Sequence, residues 1–301
     1  MNELNELVEV RADVPPMSTS AFLAGRRRLH AAASAEVAMP ARAPAWPRRL
    51  ARSAVALAAL LAIAFVGVQV LSPHGGAPAN AAGVLRAAAD AVEPAVALDP
   101  RPDQYVYWEV VHVTSALWTR VQVWRAADGS RPGHITITGD TGNFTDPTPA
   151  YRPGDSLSDA PYAVLAELPT DPDALLRRLE ADPMVAAGGT SSGPSRAVML
   201  WNLMRELVWT APPRQQAALF RAAATLPDIT VDNDVTDAVG RAGIGVGLHD
   251  PALGRVELIF QRGDYRFLGE RIVDIKHPDR VLFNDALQRT AVVDQIGQLP
   301  G

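Results

Sequence analysis

Tyr105-Val106-Tyr107-Trp108-Glu109-Val110-Val111-His112-Val113 alternates along its length and is dense in aromatic and β-branched residues. Such side chains suit a pleated, half-buried surface, so the stretch is predicted as a β-strand. Working outward, Trp118 to Arg125 repeats the pattern and His134 to Thr138 offers a shorter third strand. The middle of the chain changes period. Asp171-Pro172 places an N-cap before a first-turn proline and leads into Ala174 to Glu180. Ser195 to Trp209 carries Val198, Trp201, Met204, Leu207 and Val208 at helical spacing. Pro212-Pro213 opens a third helix reaching about Thr225, with Ala217, Phe220 and Ala224 inward.

Strand character then returns in Ile229 to Val235, Ala238 to Leu248, Arg255 to Gln261 and Tyr265 to Asp274. Asp250-Pro251 with Gly254 marks one turn of this meander, and Gly263-Asp264 marks the last. The order is strands, helices, strands, with no βαβ alternation. This is the pattern of an α+β fold, an antiparallel sheet with helices on one face.

Upstream, Asn80 is placed to cap a helix running to about Val92, with Val84, Leu85, Ala88 and Val92 forming an apolar stripe. Before it, the nineteen residues from Ser53 to Leu71 carry no charge. At about 1.5 Å per residue they match roughly the ~30 Å hydrocarbon core of a bilayer, so a single transmembrane helix precedes the folded part. Residues 1 to 52 carry eight arginines against five acidic residues, a net charge of plus three. The whole chain is at minus five, which leaves minus eight for residues 53 to 301. A positive flank before the helix and an acidic domain after it place the N-terminus in the cytoplasm and the C-terminal domain outside the cell membrane. The partition that follows is a cytoplasmic tail over 1–49, a transmembrane helix over 50–71, a linker over 72–79 and an extracytoplasmic α+β domain over 80–301.

Ala79-Asn80-Ala81 fits a small-x-small cleavage site, but about fifty residues precede the apolar core, far more than a secretory signal carries. An uncleaved anchor fits better. The tail holds two short amphipathic stretches, Glu3 to Val8 and Thr19 to about Ala38, too short to be stable alone in water. Such segments are largely disordered or fold on a membrane surface or on a protein partner.

Several chemistries are excluded or weakened. With no cysteine, the chain forms no disulfide, thiolate metal site or thiol nucleophile. The acidic distal domain lacks the basic face that nucleic-acid binding needs. Gly189-Thr190-Ser191-Ser192-Gly193 matches G-x-S-x-G, yet no strand precedes it and Pro194 follows, so the strand-turn-helix that makes Ser191 a hydrolase nucleophile is missing. Asp232, Asp234 and Asp237 cluster between strands but lack the glycine and distal glutamate of a calcium loop. A turn whose Asp side chains bond their own backbone explains them better. No two of the six histidines fall at metal-ligand spacing. The sequence thus nominates no catalytic set, no metal and no cofactor, and a non-enzymatic role is expected. The candidates for ligand binding are Tyr107, Trp108 and Trp124, on strands whose aromatic side chains could line an apolar pocket. Ordinary cross-strand packing is the alternative for the same residues.

Several segments together resemble an actinobacterial family of single-pass membrane proteins with no assigned activity. They are Met1-Asn2-Glu3-Leu4, Arg11-Ala12-Asp13-Val14-Pro15, Arg101-Pro102-Asp103-Gln104-Tyr105-Val106-Tyr107, Leu168 to Leu175, Tyr265-Arg266-Phe267-Leu268-Gly269-Glu270-Arg271 and Ala291-Val292-Val293-Asp294. None is a catalytic signature. The resemblance implies genes often found beside extracytoplasmic-function sigma factors, and so a membrane-linked regulator whose residues 1–49 meet a cytoplasmic regulatory protein. A folded zinc-type anti-sigma domain is excluded, because the tail is short and has no cysteine. The expectation is a sensing or binding domain outside the bilayer. A membrane-anchored carrier of lipid or other apolar ligands is the alternative, and a serine hydrolase using Ser191 a third.

Overall fold

A computed structural model describes residues 80–140, 142–186, 194–277 and 279–301. The expected tail, transmembrane helix and linker lie outside the described residues, as does Ser191. No helix among the described residues is long and apolar enough to cross a membrane.

The described chain opens with helix α1, Ala81–Val92. Four strands follow: β1 Tyr105–Val113, β2 Trp118–Ala126, β3 Gly133–Gly139 and β4 Gly142–Thr148. After a single 3-10 turn come α2 Tyr162–Ala166, α3 Pro172–Glu180, α4 Pro183–Ala186, α5 Arg196–Leu207 and α6 Pro213–Ala223. The chain closes with β5 Thr230–Thr236, β6 Ala242–Asp250, β7 Gly254–Gln261, β8 Phe267–Val273 and β9 Val281–Val293. These strands form one nine-stranded sheet in the order β4-β3-β2-β1-β9-β8-β7-β6-β5. Every pairing is antiparallel. The α+β class read from the sequence is therefore the fold observed.

The helices begin where local chemistry starts them. Asn80, Asp171 and Ser195 each accept a backbone N–H of the first turn through the side chain, satisfying donors that have no partner within the helix. Arg177 and Arg178 in the last turn of α3 face its partial negative charge.

Two strands were not anticipated. β4 is an edge strand interrupted by Pro147, a placement proline tolerates only at an edge. β9 is the central strand that joins the two halves of the sheet, yet Asn284, Asp285, Gln288, Arg289 and Thr290 break its apolar alternation. It also meets β1 across a bulge at Glu109/Val110, which shifts the phase of its side chains midway.

The two halves of the sheet meet unequally. β9 pairs with β1 along the whole of β1, from Tyr105↔Val293 to Val113↔Asn284. With β8 it pairs only at Arg271↔Asn284, Ile272↔Phe283 and Val273↔Val281. Close approach at the next step depends on Gly269, where a side chain would overlap the Asp285 carbonyl. Beyond that point β8 and β9 part.

One face of the sheet bears the helices. The Trp201 indole of α5 donates to the Val256 carbonyl at 3.0 Å, and Phe220 of α6 meets Phe260 of β7 edge-on with centroids 5.2 Å apart. α1 packs on α6, and Arg221 of α6 holds Asp90 and Glu93 at its end. On the outer face, Tyr105, Tyr107, Trp124, Ala126 and Val293 form a separate cluster.

Candidate functional site

A cavity of about 470 Å³ opens on the helix-bearing face where β8 and β9 part. Ala88, Ala91 and Val92 of α1 form one wall, and Ala211 to Pro213 with Gln216 and Phe220 form the next. Asp264, Tyr265 and Arg266 of the β7–β8 turn make the rim, and Phe267 of β8 faces Leu287 and Thr290 of β9 across the gap. Trp209 stacks edge-on against Phe267 at 5.1 Å, and Phe267 continues to Phe260 at 6.3 Å, so the interior is aromatic. The Tyr162 hydroxyl donates to the Leu98 carbonyl at 2.9 Å and pins the segment that follows α1. Burial raises the Tyr162 pKa. The volume falls within the range of roughly 300–1,000 Å³ typical of small-molecule sites, and the walls are predominantly apolar, as such sites are.

The parting of β8 and β9 is held from the outside by Arg241. Its Nη2 donates to the Leu268 carbonyl of β8 at 3.1 Å and to the Leu287 carbonyl of β9 at 2.9 Å. The guanidinium thus occupies the place of ladder hydrogen bonds that the separated strands do not make. Asp237 orients it: fully buried, this carboxylate accepts Arg241 Nε at 2.5 Å and the backbone N–H groups of Val239 and Arg241.

Behind the cavity, α5 is fixed to the seam by buried charge. Arg205 donates to both carboxylate oxygens of Glu270 at 2.7 and 2.8 Å, to Asn202 at 3.2 Å, and lies 3.0 Å from Glu206. Asn202 in turn donates to Asp250 at 2.8 Å, and His112 of β1 meets Asp285 of β9 at 2.8 Å. Glu206, Glu270 and Asp285 share the field of one guanidinium. Burial opposes the charge on Arg205, but Glu270 and Glu206 outweigh it and hold its pKa above the usual range. Burial pushes Glu270 up, and its carboxylate neighbours add to that rise.

The acidic trio Asp232, Asp234 and Asp237 does not converge. Asp232 pairs with Arg271 at 2.7 Å and Arg255 at 3.1 Å, Asp234 with Arg262 at 3.0 Å, and Asp237 with Arg241. Asp232 and Asp234 lie within β5, where Asp232 accepts the Asp234 N–H at a register shift of the strand, so the turn reading holds only for Asp237, which accepts the Val239 N–H between β5 and β6. On the outer face, Arg271 Nε donates to the buried Glu257, whose pKa burial raises. This network lies flat over β6 because Gly245 and Gly247 present no side chain there; a methyl on Gly247 would overlap the Val256 carbonyl. For Asp232, burial is outweighed by the Asp234 N–H and Arg271, and its pKa falls below the ordinary value. Among the described residues no group of three or more His, Cys, Asp or Glu is arranged to hold a metal ion.

The three aromatic candidates are divided by the pleat of the sheet. Tyr107 and Trp124 lie on the outer face with ring centroids 5.2 Å apart, and the Trp124 indole donates to the Gln298 carbonyl of the C-terminal segment at 2.9 Å. Tyr107 donates to Glu109 at 2.6 Å and accepts from Gln122 at 2.9 Å; burial, with the Glu109 hydrogen bond, pushes its pKa up to about 12. Trp108 points to the helix side, in a cluster with Val110, Val121, Val123 and Ile135 that packs against Trp209. It stands one layer behind the cavity wall, and other residues line that wall. Trp209, Phe220 and Phe267 have no sequence signal beyond core spacing, because their convergence depends on segments far apart in the chain.

No protein-family model and no curated protein sequence matches the chain. Among solved structures it is similar to the MucA/MucB complex of Pseudomonas aeruginosa, at 12% identity and a TM-score of 0.27 over 73% of this chain and 58% of that one. MucB alone matches at 11% identity and a TM-score of 0.27, over 75% of this chain and 62% of that one. The LolA superfamily protein NE2245 from Nitrosomonas europaea matches at 11% identity and a TM-score of 0.20, over 73% of this chain and 95% of that one. The chain spans under two thirds of the length of these MucB chains. All three likenesses are remote in sequence and in superposition.

Proposed function

We propose that residues 80–301 form a non-catalytic binding domain for an apolar or amphipathic small molecule, held outside the cell membrane by a single transmembrane helix over residues 50–71. The observation that carries this reading is the cavity at the parting of β8 and β9, with walls of Ala, Val, Phe and Trp and a rim of polar turn residues. Aromatic surface exposed to such a space is stabilised when an apolar ligand displaces water from it. Occupancy would be sensed by the domain and passed to residues 1–49, where the family resemblance suggests a cytoplasmic regulatory partner such as a sigma factor. A carrier role is the second reading, favoured by the open end of the cavity beside Val96, which is 96% exposed.

The absence of cysteine allows a direct test. A single Ala91→Cys variant of the full chain in lipid nanodiscs, labelled with an environment-sensitive fluorophore, places a reporter on the cavity wall. A long-chain fatty acid should change its emission, whereas a reporter at Thr230, on the far sheet edge, should not respond. Equal responses at both positions, or none at either, contradict the proposal. Pull-downs with residues 1–49 that recover no cytoplasmic protein beyond a scrambled control would contradict the signalling part alone.

A further inference from the structure

The rim of the cavity carries a cation, Arg266, that has no carboxylate partner among the described residues. Within the β7–β8 turn, Gln261 donates its N–H to the Arg266 carbonyl at 2.8 Å, and Tyr265 donates to the Gln261 carbonyl at 3.1 Å. Asp264 accepts the Arg266 backbone N–H at 3.1 Å, so its carboxylate is engaged inside the turn. The Arg266 guanidinium donates to the Gln261 side-chain carbonyl at 2.6 Å, and among the described residues no carboxylate forms an ion pair with it. Three arginines on or between β5, β6, β7 and β8 behave differently: Arg262 pairs with Asp234, Arg255 with Asp232 and Glu257, and Arg241 with Asp237.

A second, independent observation concerns Tyr265. Its φ is 54°, a left-handed conformation unfavourable for a bulky residue and readily taken by glycine. The turn nevertheless keeps a tyrosine there, half-buried and among the residues that line the cavity. Tyr265 and Arg266, one amphipathic and one cationic, are consecutive in the chain and both line the cavity. Among the other polar groups of the wall, the Gln216 amide is already spent on the Val208 carbonyl at 2.6 Å.

We infer that the cavity takes a single-chain anionic amphiphile, its hydrocarbon chain between α1 and Phe267 and its head group paired with Arg266 beside Tyr265. This rests on the cavity being a binding site, as proposed above. A cavity of about 470 Å³, in the lower half of the usual range for small-molecule sites, suits one chain better than the paired chains of a diacyl lipid. A guanidinium free of protein carboxylates binds a carboxylate or a phosphate through charge-assisted hydrogen bonds, so a fatty acid and a lysophospholipid both carry the head-group chemistry required.

The test uses the full chain carrying the Ala91→Cys reporter, titrated with palmitate, lysophosphatidylglycerol and hexadecanol. At least one anion should bind more tightly than the alcohol. Arg266→Gln should weaken that anion about tenfold, the scale of one charge-assisted contact at a partly open site, and leave hexadecanol unchanged, while Arg266→Lys should retain most of the affinity. The preferred anion identifies the source of the head group. Equal affinities for all three ligands, with no effect of Arg266→Gln, overturn the head-group assignment and leave the cavity reading intact. No response to any ligand overturns both.

Discussion

The half of the sheet formed by β1 to β4 and β9 and the half formed by β5 to β8 are stabilised by different means. In the first, the outer face is closed by aromatic packing of Tyr105, Tyr107 and Trp124 under the C-terminal segment. In the second, α5 and α6 cover the inner face, buried ion pairs hold α5 in place, and a flat arginine-carboxylate network covers the outer face. The halves share a short ladder and then separate, and the cavity lies at the separation. A continuous sheet would fill this space with side chains. The parting of two unlike halves is what leaves room for a ligand.

Removing the buried pair should break the second half most severely. Glu270→Ala leaves Arg205 with a diminished set of buried partners, and loss of about 3–5 kcal/mol is expected from urea unfolding. The cavity-side seam comes next. Arg241→Ala strands the buried Asp237 carboxylate and frees the Leu268 and Leu287 carbonyls, for a loss of about 2 kcal/mol. Its distinguishing sign is faster hydrogen exchange confined to β8 and β9, with β2 and β3 unchanged. A uniform rise across the sheet would mean that Arg241 stabilises the fold generally, not the parting of the strands.

The first half should respond more gently. Trp124→Phe keeps most of the aromatic surface and loses the bond to the Gln298 carbonyl, for about 1 kcal/mol. Limited proteolysis should then clip residues 294–301 sooner while α5 and α6 stay protected. A further effect is that of pH. The Glu270 pKa is raised above its ordinary 4.5, so the folded state binds this proton more tightly than the unfolded one. The contribution is fully present below about pH 4.5 and is lost as pH rises through the folded-state pKa. Glu270→Gln should flatten that part of the stability profile, and an unchanged profile would show that Glu270 is not its source.

Much of the architecture was legible because it depends on short-range chemistry. Asn80, Asp171 and Ser195 cap helices through contacts three residues away, and β1 and β2 declare themselves by composition. β9 was not legible: it lies between two strands and carries polar residues wherever it turns toward the seam or solvent, so its pattern matches neither a buried nor a half-exposed strand. The site was the least legible part. Its lining comes from segments between Ala88 and Thr290, and each contributing residue reads in isolation as core or loop. The aromatic residues of β1 and β2 drew notice because they are close in sequence, but the pleat sends Tyr107 and Trp124 to one face and Trp108 to the other.

Hydrogen exchange on the full chain, with and without saturating palmitate, tests the cavity most directly. Protection should concentrate in α1, the β7–β8 turn and the Leu287–Thr290 portion of β9. Protection centred on the outer face around Tyr107 and Trp124, or no protection at saturation, would contradict the account.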